Sequence, residues 1–192
     1  MKRKIIFIVV LLCAVAVAIV GYTQSSKSSP ETSSASSSRA AQRQQRHIER
    51  EQRRAERQAA YERYIDSIVL ARNFQFSPQT MQQQVAGGVR ILNNPDFGVQ
   101  VWGSEVDIFL PYIKGVTAPY YTVMLNYALP HVAGYTTEQT REGWLVTFSS
   151  SLYSGSDYNF SLDIYSASGS GVLTISSPWY SDVQYNGSIS GI

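Results

Sequence analysis

The chain has almost no cysteine: Cys13 is the only one, and it lies in an apolar run near the N-terminus. Everything downstream therefore forms no internal disulfide and no thiolate metal site, and its stability has to come from packing. Histidine is nearly as scarce. With only His47 in a charged segment and His131 in a Pro-His-Val loop, a two-histidine metal centre in the folded part is excluded. No serine sits in a Gly-x-Ser-x-Gly elbow that would pair with His131 as a nucleophile. Positive charge is missing from the C-terminal part: residues 73–192 hold Arg90, Lys114 and Arg141 against eight acidic residues, a net charge of −5. Such a domain does not hold a phosphate backbone, so nucleic acid is not an expected partner. Gly169 and Gly171 lie in a Ser-Gly-Ser-Gly turn ahead of a strand, not in a phosphate loop ahead of a helix, so no nucleotide or other cofactor is expected.

What is present is divided sharply along the chain. Thirteen of the sixteen Lys and Arg residues precede position 73 and nineteen of the twenty-three aromatic residues follow it. Met1-Lys2-Arg3-Lys4 and the apolar run Ile5–Val20 have the charged and hydrophobic regions of an export leader. At sixteen residues the run is long for a cleaved signal and short of the ~20 residues that span a bilayer, so residues 1–23 fit either an export signal or a signal anchor. If the leader stays uncleaved, it is the chain's membrane contact, and Lys2, Arg3 and Lys4 leave the remainder outside the cytoplasm. The expected location is the periplasm or the cell envelope.

Residues 24–38 are dominated by serine, which predicts a flexible linker. Residues 39–72 contain neither Pro nor Gly and are rich in Ala, Gln, Glu and Arg, which predicts a basic α-helix with Ser38 as its N-cap. Nine arginines against five acidic residues leave this segment at +4, and the interspersed signs describe a solvated face. Tyr61, Tyr64, Ile65 and Ile68 recur at three- and four-residue spacing and form the stripe that would dock on a domain.

After Asn73 the pattern becomes short alternating runs bounded by Gly, Pro, Asn and Asp, the signature of successive antiparallel strands. Strands are predicted near 89–92, 98–102, 105–110, 120–128, 144–149, 157–165, 171–176 and 183–189. Alternation is clearest in Tyr158, Phe160, Leu162 and Ile164. No helix-length pattern interrupts them, so residues 73–192 should form one mainly β domain: a single antiparallel β-sandwich or barrel of about eight strands, preceded by the long N-terminal helix.

Several local runs are jointly distinctive: Asn94-Pro95-Asp96-Phe97-Gly98-Val99-Gln100-Val101, then Leu110-Pro111-Tyr112, then Gly143-Trp144, then Gln184-Tyr185-Asn186-Gly187-Ser188-Ile189. In their order and spacing, over roughly residues 61–189, they resemble a family of uncharacterised Bacteroidetes envelope proteins known as domain of unknown function 4251. That resemblance implies an exported protein, often a lipoprotein, with no established activity. The chain departs from the lipoprotein pattern at Leu12, which precedes Cys13, and from many relatives at Ile113 and Lys114.

No constellation identifies a reaction. Glu105 and Asp107 alternate on one strand, as paired carboxylates or calcium ligands would, but the wet face of any antiparallel strand produces the same spacing. Tyrosine is the positive signal: its number exceeds what a small core is expected to hide, and its ring suits half-wet contact surfaces. Tyr120 and Tyr121 after Pro119, with Trp179 and Tyr180 after Pro178, are the candidate recognition surface. The expected function is a non-enzymatic envelope module that contacts another envelope protein or a glycan. The alternatives are a lipocalin-like carrier of a small apolar ligand, whose cavity Phe160, Leu162 and Ile164 would line, and, more remotely, a hydrolase.

Overall fold

The structure is a computed structural model that describes residues 31–84, 87–115, 121–152 and 156–192. The leader, the linker up to Pro30, and Tyr120 lie outside the described residues. Glu49–Ile192 forms one compact unit. One helix, α1 (Glu31–Leu70), begins eight residues before the predicted start and absorbs Ser38 as an interior residue. Serine costs a helix only a few tenths of a kcal/mol, and once the Ala-, Gln- and Arg-rich segment has nucleated, propagation into the preceding serines offsets that cost. No helix among the described residues is long and apolar enough to cross a membrane.

The C-terminal end of α1 docks through Ile65, Ile68 and Val69, which are buried, while Tyr61 and Tyr64 sit at the rim. Polar anchors fix the axis. Gln58 Nε2 donates to the Ala167 carbonyl at 2.6 Å, and the Gly191 N–H donates to Tyr64 Oη at 3.0 Å. Trp144 Nε1 and Ser166 Oγ both donate to Asp66 Oδ1 at 2.7 Å. Two residues past the end of the helix, Arg72 has a positive φ of 51° and turns the chain as a left-handed cap does. Its carbonyl accepts from Gly103 N at 2.7 Å, and its guanidinium lies 4.2 Å over the Tyr135 ring.

Ten antiparallel strands follow: β1 (Asn73–Gln83), β2 (Arg90–Ile91), β3 (Gly98–Trp102), β4 (Glu105–Lys114), β5 (Tyr121–Leu129), β6 (Ala133–Gln139), β7 (Gly143–Leu152), β8 (Ser156–Tyr165), β9 (Ser170–Ser177) and β10 (Tyr180–Gly191). They form one sheet in the order β5-β4-β3-β1-β10-β9-β8-β7-β6, with β2 paired to β1. The expected mainly β domain, antiparallel strands preceded by a long helix, is what forms, and it is compatible with the sandwich or barrel of about eight strands read from the sequence. The sheet is single and curled into a half-barrel, and its edge strands β5 and β6 share no ladder among the described residues. The curl is recorded in contacts that skip strands. Tyr185 Oη on β10 donates to the Pro111 carbonyl on β4 at 2.6 Å, and Tyr112 Oη on β4 donates to the Ser181 carbonyl on β10 at 3.2 Å. The rings of Tyr112 and Tyr158 meet edge to face at 5.4 Å across the interior.

Two strands escaped the sequence reading, each for a definable reason. In β1 the buried positions are Phe74, Phe76 and Pro78, then Met81 and Gln83, so the inward phase shifts by one residue. The register slips at the same place, between Pro78 and Thr80. A bulge re-aims the strand there and accommodates a proline in a central position. Gly187 is its counterpart on β10: a Cβ there would strike the Ser77 carbonyl oxygen and Pro78 Cα. In β6 only Tyr135 faces the core among polar neighbours, stacked at 6.1 Å on Phe148, which in turn stacks at 4.7 Å on Phe160.

The concave side of the sheet and the end of α1 enclose one contiguous apolar cluster, from Ile65 through Phe76, Val101, Leu110 and Phe148 to Ile189. Phe160, Leu162 and Ile164 are 1–2 % exposed within it.

Candidate recognition surfaces

Two of the described aromatic candidates, Tyr121 and Tyr180, meet at Lys114, the last residue of β4. Tyr121 is its ladder partner at the start of β5, and the Lys114 ammonium sits 5.1 Å over the Tyr180 ring. Tyr121 is 64 % and Trp179 65 % exposed, and the Trp179 N–H donates to Ser177 Oγ at 3.4 Å in the β9–β10 turn. Tyr180 is half-buried, its ring 6.5 Å from that of Tyr112. The end of β4, the start of β5 and the start of β10 are thus joined through one lysine.

Beneath this rim lies a layer of hydroxyl groups that sequence reading did not single out. Lys114 hydrogen-bonds the Tyr158 phenol, and burial, the largest cause, raises the Tyr158 pKa above its ordinary value. Tyr112 is raised further, first by burial and then by Tyr158, Asp182 and Tyr180. Ser150, directly opposite Tyr158 in the β7–β8 ladder, has a buried Oγ with no hydrogen-bond partner. Three tyrosines are nevertheless core residues: Tyr112, Tyr158 and Tyr185 are 0–1 % exposed. The interior holds their rings because each hydroxyl finds a partner, so the usual desolvation penalty of a buried phenol is offset.

A second surface lies on the convex side of β3, β4 and β5, where Asp96, Gly98, Gln100, Asp107, Phe109 and Asn126 line a groove of about 260 Å³. A third and wider groove, about 500 Å³, runs beside α1 between Glu62, Asp66, Arg141, Glu142, Tyr165 and Ser168. Asp66 is its deepest anchor, already occupied by Trp144 and Ser166. Glu105 and Asp107 do share a strand face, but only Asp107 enters a groove, while Glu105 stands exposed opposite Trp102. His131 is exposed in the β5–β6 connection. Among the described residues no three metal-ligating side chains come together.

The family model described as "Domain of unknown function (DUF4251)" matches residues 56–189, well over half of the chain. The chain belongs to this family. The match starts within α1 and ends within β10, so it takes in the docking end of the helix and the half-barrel up to the last residues of β10. A crystal structure of a DUF4251 family protein from Bacteroides eggerthii DSM 20697 is similar in fold, with a TM-score of 0.54 and 16 % sequence identity over 70 % of this chain and 91 % of that one. No curated protein matches the chain.

Proposed function

We propose that this family member is an exported envelope protein acting as a non-enzymatic interaction module, with the aromatic rim around Lys114 as its contact surface. The observation that carries this reading is the pairing of a filled interior with solvent-facing rings. Phe160, Leu162 and Ile164, which a carrier would turn toward its ligand, are packed into the core, whereas Trp179 and Tyr121 are about two-thirds exposed beside Tyr180. Large aromatic rings held on a rigid sheet lose little conformational entropy on contact and are enriched where proteins bind. The reading also rests on the leader: the Lys2-Arg3-Lys4 cluster and the apolar run after it support export, and the envelope is where an exported bacterial domain meets its partners. The partner is an envelope protein or a glycan.

Replacing Trp179 with a photoreactive phenylalanine analogue and irradiating intact cells tests the proposal. A discrete adduct at position 179, absent when the analogue replaces outward-facing Tyr165 at the far end of β8, is the expected result. The same weak labelling at both positions, or recovery of the protein in the cytosolic fraction, overturns it.

A further inference from the structure

The convex groove on β3, β4 and β5 is a separate surface from the aromatic rim and carries its own chemistry. The strand registers align its residues in two rows: Gly98, Phe109 and Asn126 in one, and Gln100, Asp107 and Ala128 in the other. The smallest residues, Gly98 and Ala128, occupy opposite corners and leave a recess around Phe109. Gly98 is required for close packing as well, because a Cβ there would sit 2.9 Å from the Phe76 carbonyl oxygen. Phe109 is half-buried, braced at 5.5 Å by the tilted ring of Phe97. Asp96 overhangs the recess from a fixed turn, in which its own N–H donates to Asn94 Oδ1 at 3.0 Å and the Phe97 N–H donates to the Asn94 carbonyl at 3.3 Å.

We propose that this groove binds one ring of a neutral glycan. The fixed aromatic face of Phe109 supplies the apolar platform for the C–H side of a pyranose. Asp107 and Asp96 accept hydrogen bonds from paired hydroxyls, and Gln100 and Asn126 both donate and accept. The side chains of Gln100, Asp107 and Asn126 belong to residues that line the groove, which puts their hydrogen-bonding groups within reach of a ligand there. Two carboxylates and no cation line the groove, which disfavours uronates, phosphates and other anionic sugars by like-charge repulsion. Its volume of about 260 Å³ lies just below the ~300 Å³ at which pockets for drug-sized ligands begin, and suits one sugar ring of a longer chain.

The test is calorimetric titration of the full chain, held in a detergent without a sugar headgroup, with maltotriose, cellotriose, mannotriose, chitotriose and trigalacturonate as probes. At least one neutral trisaccharide is expected to bind with a Kd between about 0.1 and 10 mM, with trigalacturonate at least about tenfold weaker. Phe109→Ala should weaken that binding by about fivefold to tenfold, and Asp107→Ala, a surface change expected to leave the melting temperature unaltered, by a similar factor. Absence of binding by every neutral probe overturns the proposal, as does preferential binding of trigalacturonate. Binding that both substitutions leave unchanged, or that chelation of divalent cations abolishes, overturns it equally. None of these results bears on crosslinking at position 179, so the two surfaces stand or fall separately.

Discussion

Replacing Tyr185 with Phe deletes one oxygen atom at the centre of the curled sheet and should cost stability at neutral pH but return part of that loss at high pH. Tyr185 is fully buried, and its hydroxyl donates to the Pro111 carbonyl at 2.6 Å. Losing that donor leaves a buried carbonyl unpaired, so at neutral pH the variant should be less stable by about 1–3 kcal/mol. The pKa of Tyr185 is raised above its ordinary value, chiefly by burial and secondarily by Tyr112. The folded state therefore holds the phenol neutral while the unfolded chain ionises near pH 10. The contribution of Tyr185 is complete below the unfolded pKa and declines as pH rises past it; by pH 11 ionisation favours the unfolded chain by about 1.4 kcal/mol. The variant has no such group, so its deficit should shrink by about 1.4 kcal/mol between pH 7 and pH 11. Tyr112, Tyr135 and Tyr158, whose pKa values are also raised, remain in both proteins and largely cancel in the difference. Urea unfolding followed by far-ultraviolet circular dichroism at about pH 7, 9 and 11 measures it. A deficit that stays constant across this range, or grows, would refute the claim that the Tyr185 phenol is sequestered in the folded state.

Two other substitutions test separate parts of the architecture. Asp66→Ala removes the carboxylate that accepts from both Trp144 and Ser166; because the adjoining groove admits water, the expected loss is about 1.5–3 kcal/mol and not the sum of two buried bonds. A lower urea midpoint with altered Trp144 fluorescence is the readout, and an unchanged midpoint would mean that the remaining contacts of α1, through Gln58, Tyr64, Ile65, Ile68 and Val69, hold the helix without Asp66. Ser150→Ala removes a buried hydroxyl that lacks a partner and should raise stability by about 1 kcal/mol, seen as a higher melting temperature. A lower one would show that Ser150 Oγ is engaged by a group such as bound water.

Legibility in the sequence tracked how local the determining signal was. The strand β8 could be read directly because Tyr158, Phe160, Leu162 and Ile164 all face inward without interruption, and the docking stripe of α1 could be read because Ile65 and Ile68 recur at helical spacing. Strand β1 could not, because its inward phase changes at Pro78 and the compensating residue, Gly187, is on another strand. β6 could not either, since an edge strand with Tyr135 as its inward ring presents little alternation. The choice between sandwich and barrel was equally non-local. Both were ways to cover an apolar face, and the chain instead curls one sheet over it and completes the cover with α1.

The same distinction separates the two proposed surfaces. Trp179 and Tyr121 attract notice in the sequence because each adjoins a proline-containing turn, yet what makes them one surface is Lys114, which pairs with Tyr121 and holds Tyr180. Asp107 was visible only as half of a carboxylate pair with Glu105, and that pairing led away from its actual neighbours. Strand register gives Asp107 to Gln100 on one side and Ala128 on the other, and the turn at Asn94 brings in Asp96. Beside an amide and an aromatic ring, a carboxylate can orient the hydroxyl groups of a ligand, a role its spacing from Glu105 did not suggest. Two of the eight acidic residues of 73–192 thus line a groove with no cation, which disfavours anionic ligands, while Lys114 is committed to the rim. Composition shows the imbalance, but only the pairing of the strands turns it into selectivity.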